Sequence, residues 1–280
     1  PAISPERGAP LSSVATGLST LSRLDRLARQ DTAVHRVDPR AKVLSTAVFI
    51  VCVVSFDRYE VLGLVPFALF PVVLAAQGDI PFGFLGRLLL AVSPFALLVG
   101  AFNPLLDREL VTVAGGLEIA GGWVSYASIL ARFLLTAGAA LVLTATTGFA
   151  GVCLALERFR VPDVLVTQLL LLYRYVFVLG DEALRMARAR SLRAAGRRGS
   201  GMRVYAQMLG QLLLRTFARA QRVYQAMTCR GFDGRVRIAR QLRLRASDVV
   251  FVGGWSATFV LFRLVEVTTL IGDLVTGGGG

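Results

Sequence analysis

Residues Phe84–Phe102 and Ile129–Ala150 are apolar runs interrupted only by Arg87 and Arg132. A helix needs about 20 such residues to cross the hydrocarbon of a bilayer, and water tolerates no contiguous surface that greasy. Three further stretches are of the same kind: Ala41–Phe56, Val61–Gln77 and Val249–Gly272. The first two are short and borrow length from their flanks. The pattern predicts an all-α integral membrane protein with about five transmembrane helices. Composition agrees, with 55% hydrophobic and 18% charged residues, against roughly 45–50% and roughly 25% in ordinary globular domains. A net charge of +13 would by itself suggest a soluble nucleic-acid binder. The apolar runs exclude that, and no nucleic-acid partner is expected.

Local signals place the helix ends. Asp38-Pro39 sets a capping carboxylate before a proline at the first helical position, and Ser247-Asp248 does similar work before the last span. Asn103-Pro104 ends the third span. Arg87 and Arg132 are expected to snorkel to headgroups. The polar residues 1–40 lack the apolar region of a secretory signal. Pro1–Thr20 and 273–280 read as flexible.

Charge fixes an expected topology. Residues 157–247 hold 19 Arg and 5 acids, net +14, and residues 1–42 are net +3, whereas Asn103–Gly122 is net −2. Positive residues stay inside, so residues 1–40 and 157–247 are expected in the cytoplasm. Spans one to four occupy 41–156, and the fifth occupies 248–272. The membrane would be the bacterial cytoplasmic (inner) membrane.

The basic stretch 157–247 divides into two helical patterns around the glycine-rich Ala195–Gly201. The first starts at Pro162-Asp163 and runs to about Ala194. Its early half is apolar nearly all round and must be sandwiched or lie in the membrane interface. Its later half is basic, with Asp181 and Arg185 spaced to pair at i, i+4. The second pattern runs from about Met202 to Cys229 and is amphipathic. Leu209, Leu213, Phe217, Ala220, Tyr224 and Met227 form its apolar stripe, with Arg215, Arg219 and Arg222 on roughly the opposite face. Each helix ends in a small-Arg-small signature, Ala187-Arg188-Ala189-Arg190-Ser191 in the first and Cys229-Arg230-Gly231 in the second. Arginine at a helix C-terminus already complements the macrodipole. Two such signatures on consecutive helices point further: small neighbours admit a partner surface, and a guanidinium holds a carboxylate bidentately.

Other chemistry is sparse. Cys52, Cys153 and Cys229 lack metal-ligand spacing and read as buried free thiols, and His35 reads as a surface or interfacial residue. No metal site and no cofactor are expected in this chain. An enzyme would show a Walker A lysine, an H-E-x-x-H run or closely paired acids in a span, none of which occurs. A self-sufficient channel or transporter would place charges in mid-span. The exception, Arg263 and Glu266, is spaced for mutual neutralisation.

Over about residues 20–272 the sequence resembles the T component, the transmembrane scaffold of energy-coupling factor (ECF) transporters. LDRLARQDTAVHRVDPRAKVL (Leu24–Leu44) and AMTCRGFDGRVR (Ala226–Arg237) look most like the cobalt-specific CbiQ family, with T components for nickel or a vitamin such as biotin as alternatives. The resemblance implies a non-catalytic coupling subunit. Its partners would be two ABC ATPase subunits, which bind the ATP, and a substrate-binding membrane S component, possibly with a small accessory membrane subunit, in the lipid bilayer. It also implies that one arginine of each signature docks in a groove of one ATPase. The matching positions are Ala189-Arg190-Ser191 and Cys229-Arg230-Gly231. Ala187-Arg188 is a competing register for the first, and Asp233 is a secondary candidate.

Overall fold

The computed structural model describes residues 9–57, 61–102, 110–113, 117–193, 202–234, 236 and 244–264. The chain divides into two compact units, Pro1–Asp25 with Leu156–Gln241, and Arg26–Ala155 with Leu242–Gly280.

The second of these is built from α2 (Ala33–Arg36), α3 (Pro39–Val54), a 3-10 segment at Leu62–Ala68 running into α4 (Leu69–Gln77), α5 (Phe82–Gly100), α6 (Gly121–Thr147), most of α7 (Phe149–Arg158) and α10 (Ala246–Leu264). Helix α3 packs against α6 and α10, and α5 packs against α6. The centre is aromatic. Phe49 stacks on Phe70 with centroids 4.8 Å apart and meets Phe259 edge-on at 5.4 Å, while Trp255 meets Phe70 at 5.0 Å. Such pairs contribute about 0.5–1.5 kcal/mol each beyond their area. Outward, α5 leaves Leu90 and Phe95 more than 70% exposed, as a lipid-facing helix does.

Phe82–Gly100 and Gly121–Thr147 are long and apolar enough to cross a membrane, matching the third and fourth expected spans. A third helix with that property is α8 (Asp163–Arg193), whose early half is the all-round apolar stretch of the first basic-region pattern. The expected span Val61–Gln77 is not one regular helix. Pro66 lies in its 3-10 half, and Gly63–Gln77 stays below spanning length. The fourth span starts earlier than Ile129 and stops where Gly148 takes a φ of +71°. Between α5 and α6, Leu110–Val113 and Leu117–Ala120 pair as an antiparallel hairpin, Val111 opposite Ile119; this small departure leaves the class all-α.

Polar contacts lock the helix starts of this unit. Asp38 caps α3, its carboxylate accepting from the Arg40 N–H at 2.9 Å. Asp248 is 3% exposed and accepts twice, from the Asp38 N–H at 3.0 Å and the Arg245 N–H at 2.8 Å. It therefore sits in the first turn of α10 reaching back to the residue before the helix, one half of a capping box, and not at the cap itself. Lys42, also buried, donates to the Thr146 carbonyl at 3.0 Å. His35 is 7% exposed, its Nδ1 2.8 Å from the Thr32 hydroxyl, so it is a core residue and not a surface one. Burial, and then the nearby Lys42, hold its pKa below the ordinary histidine value.

Two arginines of the spans face protein. Arg132 donates to the Asp57 carbonyl, and Arg263 donates to the Ser55 carbonyl at 3.1 Å with its guanidinium 4.2 Å from the Phe56 ring centroid. They satisfy carbonyls at the end of α3, where cations also complement the helix dipole. Glu266, Asn103 and Pro104 lie outside the described residues.

Candidate functional site

The other unit contains most of α1 (Ala9–Leu27), α8 and α9 (Met202–Thr228). Helix α1 replaces the expected flexible tail from residue 9 on. Its Leu18 packs on Gly180 of α8, where a side chain larger than hydrogen would collide with it. Helices α8 and α9 fall within one residue of the expected ends.

The two run antiparallel. At one end the Arg190 guanidinium lies over the Tyr205 ring at 5.3 Å, with Nη1 4.0 Å from the Met208 sulfur. In the middle Glu182 accepts from Arg185 at 2.9 Å and from Arg215 of α9 at 2.7 Å. Arg185 therefore pairs with Glu182, three residues away, and not with Asp181 as the i, i+4 spacing suggested. At the far end the Thr167 hydroxyl donates to the Gly234 carbonyl at 3.2 Å and accepts from the Val236 N–H at 3.4 Å. Thr167 is buried, and it pins the chain leaving α9 against the start of α8.

The signatures consequently occupy opposite ends of the helical hairpin. Arg190 and the level of Gly234 are separated by 23 residues of α8, about 35 Å at 1.5 Å per residue. The hairpin keeps the two arginines apart. Helix α8 continues through the first signature to Arg193. Ala187 is buried, Arg188, Ala189 and Ser191 are exposed, and Arg190 is half-buried against α9. The Ser191 hydroxyl donates to the Arg188 carbonyl at 2.8 Å.

The second signature is the helix stop itself. Gly231 has a φ of +76°. Its N–H reaches the Thr228 carbonyl and the Phe232 N–H reaches the Met227 carbonyl, both at 3.0 Å. This is a Schellman cap, in which glycine supplies the left-handed residue. Arg230 is the last residue before it, exposed, as are Cys229 and Asp233. The helix end satisfies its own carbonyls and leaves the guanidinium fork facing outward.

Thr167, Tyr205 and Glu182 are site residues that sequence reasoning missed. A threonine in an apolar run and a tyrosine on an amphipathic helix carry no signal until the partner segment is known. Among the described residues no three His, Cys, Asp or Glu side chains come together as metal ligands.

Comparison with known proteins follows the same residues. An uncharacterized protein of Methanocaldococcus jannaschii is 24% identical over 238 residues, 81% of each chain. The cobalt transport protein CbiQ of Rhodobacter capsulatus is 36% identical over 97 residues, 34% of this chain and 40% of that one. The nickel permease LarQ of Lactiplantibacillus plantarum is 30% identical over 89 residues, 32% of this chain and 33% of that one. In the last two the alignment spans less than half of the relative's length. The profile of the cobalt transport protein family CbiQ matches residues 30–240. That is most of the chain, both arginine signatures included, and the chain belongs to the CbiQ family of cobalt transport proteins.

Proposed function

We propose that this membrane protein is the T component of an ECF-type importer for cobalt ions. In this reading it catalyses nothing, and it transmits ATP-driven movement of two ABC ATPase subunits to a separate substrate-binding membrane subunit. In this reading residues 1–40 and the basic parts of 157–247 face the cytoplasm of the inner membrane, which the +14 against −2 charge contrast supports, while the apolar early half of α8 lies sandwiched between helices or in the membrane interface. The observation that carries the reading is the hairpin with one arginine signature at each end, a spacing suited to two ATPases rather than one. The likeness to a nickel permease favours nickel as the second reading of the cargo.

The test is metal uptake and ATPase co-purification for Arg188→Ala, Arg190→Ala and Arg230→Ala, with Arg158→Ala and Arg174→Ala as exposed basic controls. Removing one partner of a buried interfacial charge pair costs about 2–5 kcal/mol, and even 2 kcal/mol lowers affinity about thirtyfold. Arg230→Ala and one of the two first-signature variants should lose ATPase, and the controls should not. Equal, mild losses at all five positions would reduce the signatures to helix-end charges and remove the reading's support.

A further inference from the structure

The two arginine signatures differ in their surroundings. Arg230 is exposed beside a helix cap, whereas Arg190 is half-buried, its guanidinium 5.3 Å from the centroid of the Tyr205 ring. Tyr205 and Met208 stand three residues apart on α9 and so share a face. Both meet the same side chain of α8, with Arg190 Nη1 4.0 Å from the Met208 sulfur. A thioether is a weak acceptor, and among the described residues no carboxylate pairs with Arg190. The attraction between a cation and a ring face uses no N–H donor. Tyr205 therefore holds the charge of Arg190 and leaves its fork of donors available. Arg188 has no such support. It is exposed and lies two residues away, about 200° round α8, and among the described residues it has neither a ring beneath it nor an ion-pair partner.

We propose that Tyr205 is the positioning residue of the first signature: it holds the Arg190 guanidinium before any partner arrives, and so makes Arg190, rather than Arg188, the arginine that takes a partner's carboxylate. The inference rests on the ATPase-docking reading given above. Immobilising a long, freely turning side chain on docking lowers affinity by about two- to tenfold. Arg190 is already held in the free hairpin, and Arg188 is not. An arginine stowed only to complete the hairpin would give its N–H groups to oxygen acceptors, as Arg215 does with Glu182 at 2.7 Å. Arg190 instead meets a ring face and a sulfur, which steady it without satisfying it.

The full chain, purified in detergent, is titrated with the ATPase subunits recovered with it from its native membrane. Tyr205→Leu, which keeps apolar bulk without a ring, should weaken binding about two- to tenfold. Tyr205→Phe, which keeps the ring, should bind as the unaltered chain does. Leucine suits a helix at least as well as tyrosine, and Tyr205 is half-exposed, so the variant should fold. In an Arg190→Ala background Tyr205→Leu should add nothing, because the ring then has no guanidinium to hold. A loss that persists in that background would make Tyr205 a structural residue of α9. Unchanged or tighter binding by Tyr205→Leu would make the contact idle or a stowage, and failure of Tyr205→Phe would transfer the role to the hydroxyl. Each of these results overturns the proposal. The single arginine variants separate it from the reading beneath it. If Arg188→Ala loses ATPase and Arg190→Ala does not, the role of Tyr205 falls while the docking reading stands. If neither loses it, the docking reading of the first signature fails.

Discussion

Replacing Gly231 separates two reasons for a glycine after Arg230. One is conformational. The residue sits at a φ of +76°, where an L side chain costs about 1–2 kcal/mol, and alanine in addition favours continued helix over a stop by about 1 kcal/mol relative to glycine. Both effects act in one direction, so Gly231→Ala should weaken the cap by about 2–3 kcal/mol, an equilibrium shift of about thirtyfold or more. The other reason is room for a partner, and the chain itself imposes no such limit, because a Cβ built at Gly231 meets nothing within 4 Å. Asparagine tolerates the left-handed region far better than alanine. Gly231→Asn should therefore preserve the cap, and with it the direction of Arg230. The assay is hydrogen exchange at the Gly231 and Phe232 amides, which bond Thr228 and Met227, together with ATPase co-purification. The expected order is glycine, then asparagine, then alanine in both measurements. Equal loss of ATPase by Ala and Asn, with amide protection unchanged in each, would refute the conformational argument and assign the glycine to close contact with the partner.

Asp248→Ala leaves the buried Asp38 N–H and the part-buried Arg245 N–H without their charged acceptor, and should cost about 2–4 kcal/mol in thermal unfolding of the detergent-solubilised chain, with Asp248→Asn losing roughly half of that. Thr167→Val should raise exchange at the Val236 amide about tenfold while leaving the Glu182–Arg215 crossing intact, and Thr167→Ser, which keeps the hydroxyl, should restore it. Equal protection in Val and Ser variants would show that the hydroxyl is not the pin. For His35 the sign follows from its lowered pKa: the unfolded chain takes up the proton first, so stability is complete above about pH 6.5 and falls as pH drops from there towards the lowered folded value. His35→Gln should flatten that limb of a stability–pH profile, and an unchanged slope would count against it.

Helix periodicity was enough to find α8 and α9 to within a residue, because one face of α9 is apolar and a glycine-rich break separates the two. The apolar runs located α5 and α6 for the same reason. Side-chain partners were less legible. Asp181 and Glu182 are adjacent, and the choice between them as the partner of Arg185 is made by Arg215, which reaches Glu182 from α9, 33 positions away. His35 reads as a surface or interfacial residue, and only the folded chain shows it buried, as it does Lys42 at the start of the first expected span. Arg132 reads as a snorkelling arginine and Arg263 as the neighbour of Glu266, until the Asp57 and Ser55 carbonyls at the end of α3 are seen to accept from them. The signatures themselves could be read from sequence, but their placement at opposite ends of the hairpin could not. It follows from the antiparallel pairing of α8 with α9.

The bond from Asp38 to Asp248 joins residues 210 positions apart, and Phe49 closes its ring contacts with Phe259 across a similar interval. During synthesis at about 5–20 residues per second, α3 therefore waits about 10–40 s for α10 to emerge. Throughout that time the buried face of α3 lacks its closing helix, and the Asp38 N–H lacks its acceptor. A chain released before α10 has formed lacks both the Asp248 acceptor for the Asp38 N–H and the Phe259 ring against Phe49. The contacts that close α3 therefore form only after the arginine-bearing helices α8 and α9 have been synthesised.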